Sequence, residues 1–189
     1  MKKLLIPFFL LGLLLNACKK DDTTALKPSE NPMAKILEDK TWTQSQAVAS
    51  WELGFIFSPS TKGKIIQLGC RLPEPGVYTV SLWEQSTKKL LRQKAVEQTS
   101  PDKFTLTNVD ELVVDKDVKY IVSVSSVVGG KAKPYYRIAN TNANIFPIAR
   151  GSILIQSSTY SAVATPTFPD GAIELGRMFG YADITYIPD

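Results

Sequence analysis

Apolar and polar residues are arranged along this chain in three different ways. Residues 4–15 form an almost unbroken apolar run, interrupted only by Pro7 and Gly12. Residues 19–32 (KKDDTTALKPSENP) are polar, hold two prolines and show no apolar period, which predicts a flexible tether. In 32–39 a proline stands at the helix-start position and apolar residues recur three and four apart, which predicts one or two helical turns. From Trp42 onward the period falls to two. Trp51, Leu53, Phe55 and Phe57 share one strand face, Tyr78, Val80 and Leu82 another, and Val118, Tyr120, Val122 and Val124 a third. Segments 88–98, 103–109, 152–157 and 177–187 continue in this style.

Turn signals separate these runs: Ser58-Pro59-Ser60, Pro73-Glu74-Pro75-Gly76, Ser100-Pro101-Asp102, Asp115-Lys116-Asp117, Gly129-Gly130 and Pro169-Asp170-Gly171. Eight or more short strands without a helix-length amphipathic segment predict an all-β fold, an antiparallel β-sandwich of jelly-roll or immunoglobulin-like type. Strict alternation implies that each sheet packs one face and wets the other. The longest stretches without strand character are 140–150 and 159–175, and such loops are where a sandwich carries its function.

The apolar run is too short to span a bilayer. Its twelve residues rise about 18 Å as a helix, against a hydrocarbon core of about 30 Å that takes roughly 20 residues. Preceded by Met1-Lys2-Lys3 and followed by Leu15-Asn16-Ala17-Cys18, it has the order of a cleaved signal peptide, a basic start, a short apolar core and a small residue at the cut. A cysteine directly after the cut makes Cys18 the expected lipidation site, and several acyl chains anchor stably where one does not. The expected organisation is a lipoprotein signal peptide at 1–17, a lipidated cysteine and tether at 18–40, and a β-sandwich at 41–189. Lys19-Lys20-Asp21-Asp22 resembles the acidic signals that send lipoproteins of the Bacteroidetes phylum to the cell surface. The expected location is therefore the outer membrane, lipid-anchored and displayed at the surface, with the periplasmic face as the alternative.

A second resemblance covers most of the folded part, from Trp51 to Tyr186. Glu52-Leu53-Gly54-Phe55-Ile56-Phe57-Ser58-Pro59, Tyr78-Thr79-Val80-Ser81-Leu82-Trp83 with Leu90-Leu91, Val118-Lys119-Tyr120-Ile121-Val122-Ser123 and Phe168-Pro169 occur in that order. This series is similar to the secreted bacterial β-sandwich family called domain of unknown function 4082. The resemblance implies a sandwich appended to, or displayed from, cell-envelope and carbohydrate-handling proteins. The chain departs from the family after Val127, where 132–150 replaces an aromatic and glycine-rich stretch.

Composition narrows the chemistry. The whole chain has 22 basic and 18 acidic side chains, and losing Lys2 and Lys3 with the signal leaves 20 against 18, a net charge of +2. That is no footprint for nucleic acid. The chain has no histidine, which removes the usual general base and the commonest zinc ligand. With Cys18 acylated, Cys70 stands alone in an apolar stretch and is expected to be a small buried hydrophobe. No phosphate-binding glycine loop occurs, and no cofactor or metal is expected. Asp110, Asp115 and Asp117 lack the spacing of a calcium loop and read as a solvated hairpin. Glu52, Glu74, Glu84, Glu97, Glu111 and Glu174 are available for a two-carboxylate glycosidase, but are equally the glutamates of wet sheet faces.

Aromatics are the remaining lead, because sugar-binding sandwiches stack rings on exposed Trp or Tyr faces. Trp83 lies opposite the Tyr78, Val80 and Leu82 face and points to solvent or to a second small cluster. Tyr135 and Tyr136 point to opposite sides of a strand, so at most one joins the main core. Trp42 precedes the first clear strand and is a further candidate for exposure. The expected function is that of a non-enzymatic envelope lipoprotein, a binding or adhesion module with glycan as ligand class and Trp83, Tyr135 and Tyr136 as stacking residues. The alternative is an assembly subunit that meets other envelope proteins through an uncovered strand edge.

Overall fold

The computed structural model describes residues 27–39, 42–139, 144–162 and 165–189. The expected signal peptide, Cys18 and the first part of the expected tether therefore lie outside the described residues. One helix, α1 (Pro32–Leu37), precedes the strands β1 (Thr43–Ala49), β2 (Trp51–Pro59), β3 (Gly63–Cys70), β4 (Gly76–Glu84), β5 (Leu90–Gln98), β6 (Thr105–Val114) and β7 (Tyr120–Ser125). Then come β8 (Val127–Val128), β9 (Lys131–Ala139), β10 (Ile148–Arg150), β11 (Ile153–Ala162), β12 (Ile173–Glu174), β13 (Arg177–Phe179) and β14 (Ala182–Pro188). No described helix is long and apolar enough to cross a membrane.

The strands form an antiparallel β-sandwich. One layer runs β10-β11-β2-β7-β4-β5, with β12 beside β11. Two smaller sheets pack on it: β14-β3-β6, and β1-β9-β13 with β8 beside β9. The chain changes layer at most of its connections, so sequence neighbours such as β2 and β3 lie in different sheets.

Period-two residues meet between the layers. Leu53, Phe55 and Phe57 of β2, Tyr78, Val80 and Leu82 of β4, and Val122 and Val124 of β7 all belong to one buried cluster. The facing sheets contribute Ile65, Leu68 and Cys70 from β3 and Ile184 and Tyr186 from β14. Burial pushes the Cys70 thiol up to about 12, so it is an inert packing residue. The apolar run expected at 177–187 is broken into β13 and β14 at Gly180, whose φ is +62°. A Cβ there would stand 2.8 Å from Leu53 Cβ. Part of the expected loop at 140–150 is strand β10, and the stretch that departs from the resembling family takes in nearly all of strand β9 as well as β10.

The packed body begins earlier than the expected tether boundary. Glu30 forms a bridge with Tyr186, and its carboxylate accepts from the Ser152 N–H at 2.8 Å and the Ser152 hydroxyl at 3.0 Å. Asn31 does not cap its own helix with its side chain; its Nδ2 donates to Ile184 O at 2.8 Å and Thr185 Oγ1 at 2.9 Å. Helix capping comes from β14. Asp183, fully buried, accepts the Met33 N–H at 3.0 Å, the Ala34 N–H at 2.9 Å and the Ile184 N–H at 2.9 Å. Burial raises this carboxyl to about 7, although the three N–H donors pull it down.

A six-residue helix has no stability of its own, so α1 exists by being docked. Replacing Asp183 with alanine leaves two first-turn N–H groups without an acceptor, at roughly 1–3 kcal/mol each. Asp183→Ala is therefore expected to lose about 2–6 kcal/mol in urea unfolding. It should also expose residues 30–39 to protease under native conditions. An unchanged midpoint with unchanged protection would show that the clamp does not hold α1.

Candidate functional site

Strand β2 is buried on both faces: every residue from Glu52 to Pro59 is covered. Its odd positions fill the main core. Its even positions, Glu52, Gly54, Ile56 and Ser58, face away from the other layer, on the side that alternation alone would leave wet. Segment 165–172 folds back across part of this face. Thr159 Oγ1 donates to Pro169 O at 2.7 Å, Gly171 N–H to Ser161 Oγ at 2.9 Å, and Lys88 pairs with Asp170 at 3.1 Å. The Phe168 ring stands edge-on to Trp83, with centroids 5.8 Å apart and planes at 89°.

Beneath this segment the strand register assembles a polar line. Gly54 of β2 faces Ser123 of β7, which faces Ser81 of β4. Trp83 Nε1 donates to Ser123 Oγ at 3.0 Å, and Ser123 in turn donates to Glu52 Oε1 at 2.5 Å. Gln93 Nε2 donates to Ser81 Oγ at 3.0 Å. Gly54 is required here, because a Cβ would lie 2.3 Å from Val122 O and 2.9 Å from Ser123 Cβ.

Glu52 is 0% exposed, and its Oε2 has no hydrogen-bond partner. Burial pushes its carboxyl up to about 8, while the Ser123 hydroxyl and the Thr167 backbone N–H pull it down. At neutral pH the group is therefore mostly a neutral acid, which is how a buried carboxyl without a counter-ion escapes the penalty of charge. Its expected place on a wet face is corrected: tertiary cover, not strand alternation, decides its environment.

Beside Phe168 the segment leaves a surface groove of about 250 Å³. Phe168 and the exposed Ile173 supply apolar surface over a floor of buried Ile56 and Ile121, and Gln85, Lys88 and Asp170 supply polar groups. The Lys88 ammonium also sits over the Phe168 ring, 5.3 Å from its centroid. An arrangement of this kind suits a small ligand with both C–H and hydroxyl surface.

The three expected stacking residues do not offer free rings. Trp83 is 7% exposed and lies one layer below the groove, covered by Phe168, in a second cluster with Ile56 and Ile121. Tyr135 is 3% exposed and stacks on Trp51 at 6.0 Å. Tyr136 is 7% exposed and stacks on Tyr181 at 5.2 Å, with the Arg71 guanidinium 5.5 Å above it. Both tyrosines join the main cluster, against the expectation that only one would, because that core extends past the end of β9's own layer to Trp51 and Tyr181. Trp42 likewise packs on this core, with its Nε1 buried and unpaired.

The residues that do line the groove were outside the expected set. Phe168 stood out only through its proline neighbour. Lys88 and Asp170 are 82 positions apart, and no sequence signal joins them. Among the described residues no group of three His, Cys, Asp or Glu side chains is placed to hold a metal ion. Asp115 and Asp117 lie beside lysines instead, at 3.7 Å from Lys62 and 3.9 Å from Lys116.

The raised Glu52 carboxyl makes a pH signature. Its ordinary value is 4.5 and its folded value is about 8, so between these limits the folded chain holds a proton that the unfolded chain releases. Stability must then fall as pH rises through that window, by at most about 1.4 kcal/mol per pH unit, and level off above it. Asp183 acts with the same sign up to about 7, so the Glu52 share is read as the difference between wild type and Glu52→Gln. Denaturant titrations from acid to mildly alkaline pH should show a flatter curve for Glu52→Gln; parallel curves would mean that Glu52 is not held as an acid. A scan against protein-family models and a search of curated proteins find no match to this chain.

Proposed function

We propose that the chain is a lipid-anchored, non-catalytic β-sandwich of the cell envelope that binds glycan in the groove beside Phe168. The groove carries this reading: apolar surface from Phe168 and Ile173 lies next to the polar groups of Gln85, Lys88 and Asp170. A sugar ring presents the same two kinds of surface, C–H faces and hydroxyl edges. In this reading Trp83 is a support for Phe168 rather than a stacking surface, and Tyr135 and Tyr136 are core residues. Anchoring rests on the order of basic start, apolar run and Ala17-Cys18, and the envelope setting on the resemblance to domain of unknown function 4082.

Binding is tested on a soluble chain that starts at Lys19, which keeps the Glu30 and Asn31 contacts intact. It should bind a subset of a glycan array, and Phe168→Ala should weaken that binding roughly tenfold or more, the scale of losing one apolar contact surface. Tyr135→Ala and Tyr136→Ala should instead lower stability. Equal glycan binding by wild type, Phe168→Ala and Lys88→Ala would remove the groove from the reading. In cells, Cys18→Ser should abolish palmitate labelling and release from the envelope fraction should follow; persistent labelling would exclude the anchor.

A further inference from the structure

Sheet edges are where an all-β protein meets other strands, because each presents unpaired N–H and C=O groups. Most edges in this fold are closed or blunted. The outer side of β14 is taken by α1 and by the Glu30 bridge to Tyr186. Strands β5 and β6 lie together at one side of the sandwich, where Arg92 of β5 donates to Asp110 O at 2.9 Å and Glu111 O at 3.1 Å. Strands β10 and β13 are three residues each and carry Arg150 and Arg177.

The edge at β1 has none of these devices. It pairs with β9 from Thr43↔Ala139 to Ala49↔Lys133, and among the described residues no strand lies along its other side. Thr43 through Gln46 are all exposed, and Val48 is 66% exposed. Its seven residues, Thr-Gln-Ser-Gln-Ala-Val-Ala, include no charge, no proline and no glycine.

We propose that β1 docks a second copy of this chain, two β1 strands pairing antiparallel about a two-fold axis through Gln46. Composition selects this occupant. In a self-pair about a dyad, a charged side chain at the centre meets its own copy and one elsewhere has its copy across the same seam. A neutral strand is therefore the one that pairs with itself without repulsion. Gln46 carries a donor and an acceptor, so at the axis its amide complements its own copy, while Gln44, whose Oε1 accepts from the Tyr181 hydroxyl at 3.2 Å, lies opposite Val48 of the copy. A foreign strand would be selected by complementary charges, and the seven residues of β1 carry none; the Arg137 guanidinium of β9 donates to Ser45 Oγ at 2.8 Å. The register centred on Gln46 uses all seven residues, and the isologous contact closes at two copies. A single strand pair is smaller than the ~1,200 Å² of stable complexes, so the dimer is weak when dilute and grows with local concentration.

The test uses the full chain in detergent, followed by light scattering across a concentration series. Wild type should shift from monomer to dimer. Gln46→Lys and Gln46→Glu should each weaken self-association roughly tenfold or more, the scale of one like-charge contact, with unchanged thermal midpoints. Mixing the two variants should restore the dimer, because unlike charges then meet at the axis. Gln46→Cys should give an oxidative cross-link above the wild-type background, while Val113→Cys on β6 should not. A monomer at every concentration, a dimer indifferent to Gln46→Lys, or a β1 edge that captures a different chain while staying monomeric would each overturn the proposal.

Discussion

Strand β2 lies inside the large sheet with β7 on one side and β11 on the other, and it is covered above and below. Its inner side packs as an aromatic and aliphatic ladder. Its outer side places a carboxyl, a glycine and an isoleucine under segment 165–172. That double burial sets the terms for the neighbouring chemistry. It holds Glu52 in its neutral form, lines Ser123 and Trp83 up behind it, and forces Gly54 to do without a side chain. The groove exists because Phe168 must lie over Trp83 while Lys88 and Asp170 hold the segment from outside. Removing one partner of such a buried polar line exposes the desolvation penalty of the others, which a hydrophobic pair in the same place would not carry.

The two ends of the chain depend on one another through Asp183. A strand residue near the C-terminus supplies the cap that a short N-terminal helix lacks, and Asn31 answers by bonding the backbone of the same strand. The clamp fixes where the tether leaves the body, at Glu30 beside Gly151 and Ser152. If acyl chains hold Cys18 in a bilayer, this end of the sandwich is the one linked to it.

Edge management separates β1 from the remaining strands. Elsewhere the fold uses a docked helix, an arginine bridge between layers and very short strands with charges. At β1 the exposed face carries only amides, hydroxyls and small aliphatic groups. The contrast matters because sheet edges differ little in backbone chemistry; side-chain charge and cover decide whether an edge repels or accepts a strand.

Period-two alternation from Trp51 to Val124 was enough to read an antiparallel sandwich and to name most of its inner face, because burial on one side imprints that period directly. Proline at position 32 and apolar spacing marked α1 for the same local reason. The proposed lipidation at Cys18 rests on adjacent residues alone and lies outside the described residues. Strand partners, by contrast, come from far along the chain: β2 meets β7 and β11, and Lys88 meets Asp170. Alternation says that a side chain points out of the sheet, but not whether a loop returns to cover it. For that reason Glu52 read as a wet glutamate and Trp83 as a ring free to stack. Tertiary cover alone decided that one is a buried acid and the other the floor beneath Phe168, since desolvation is set by what lies above a residue and not by its sequence neighbours.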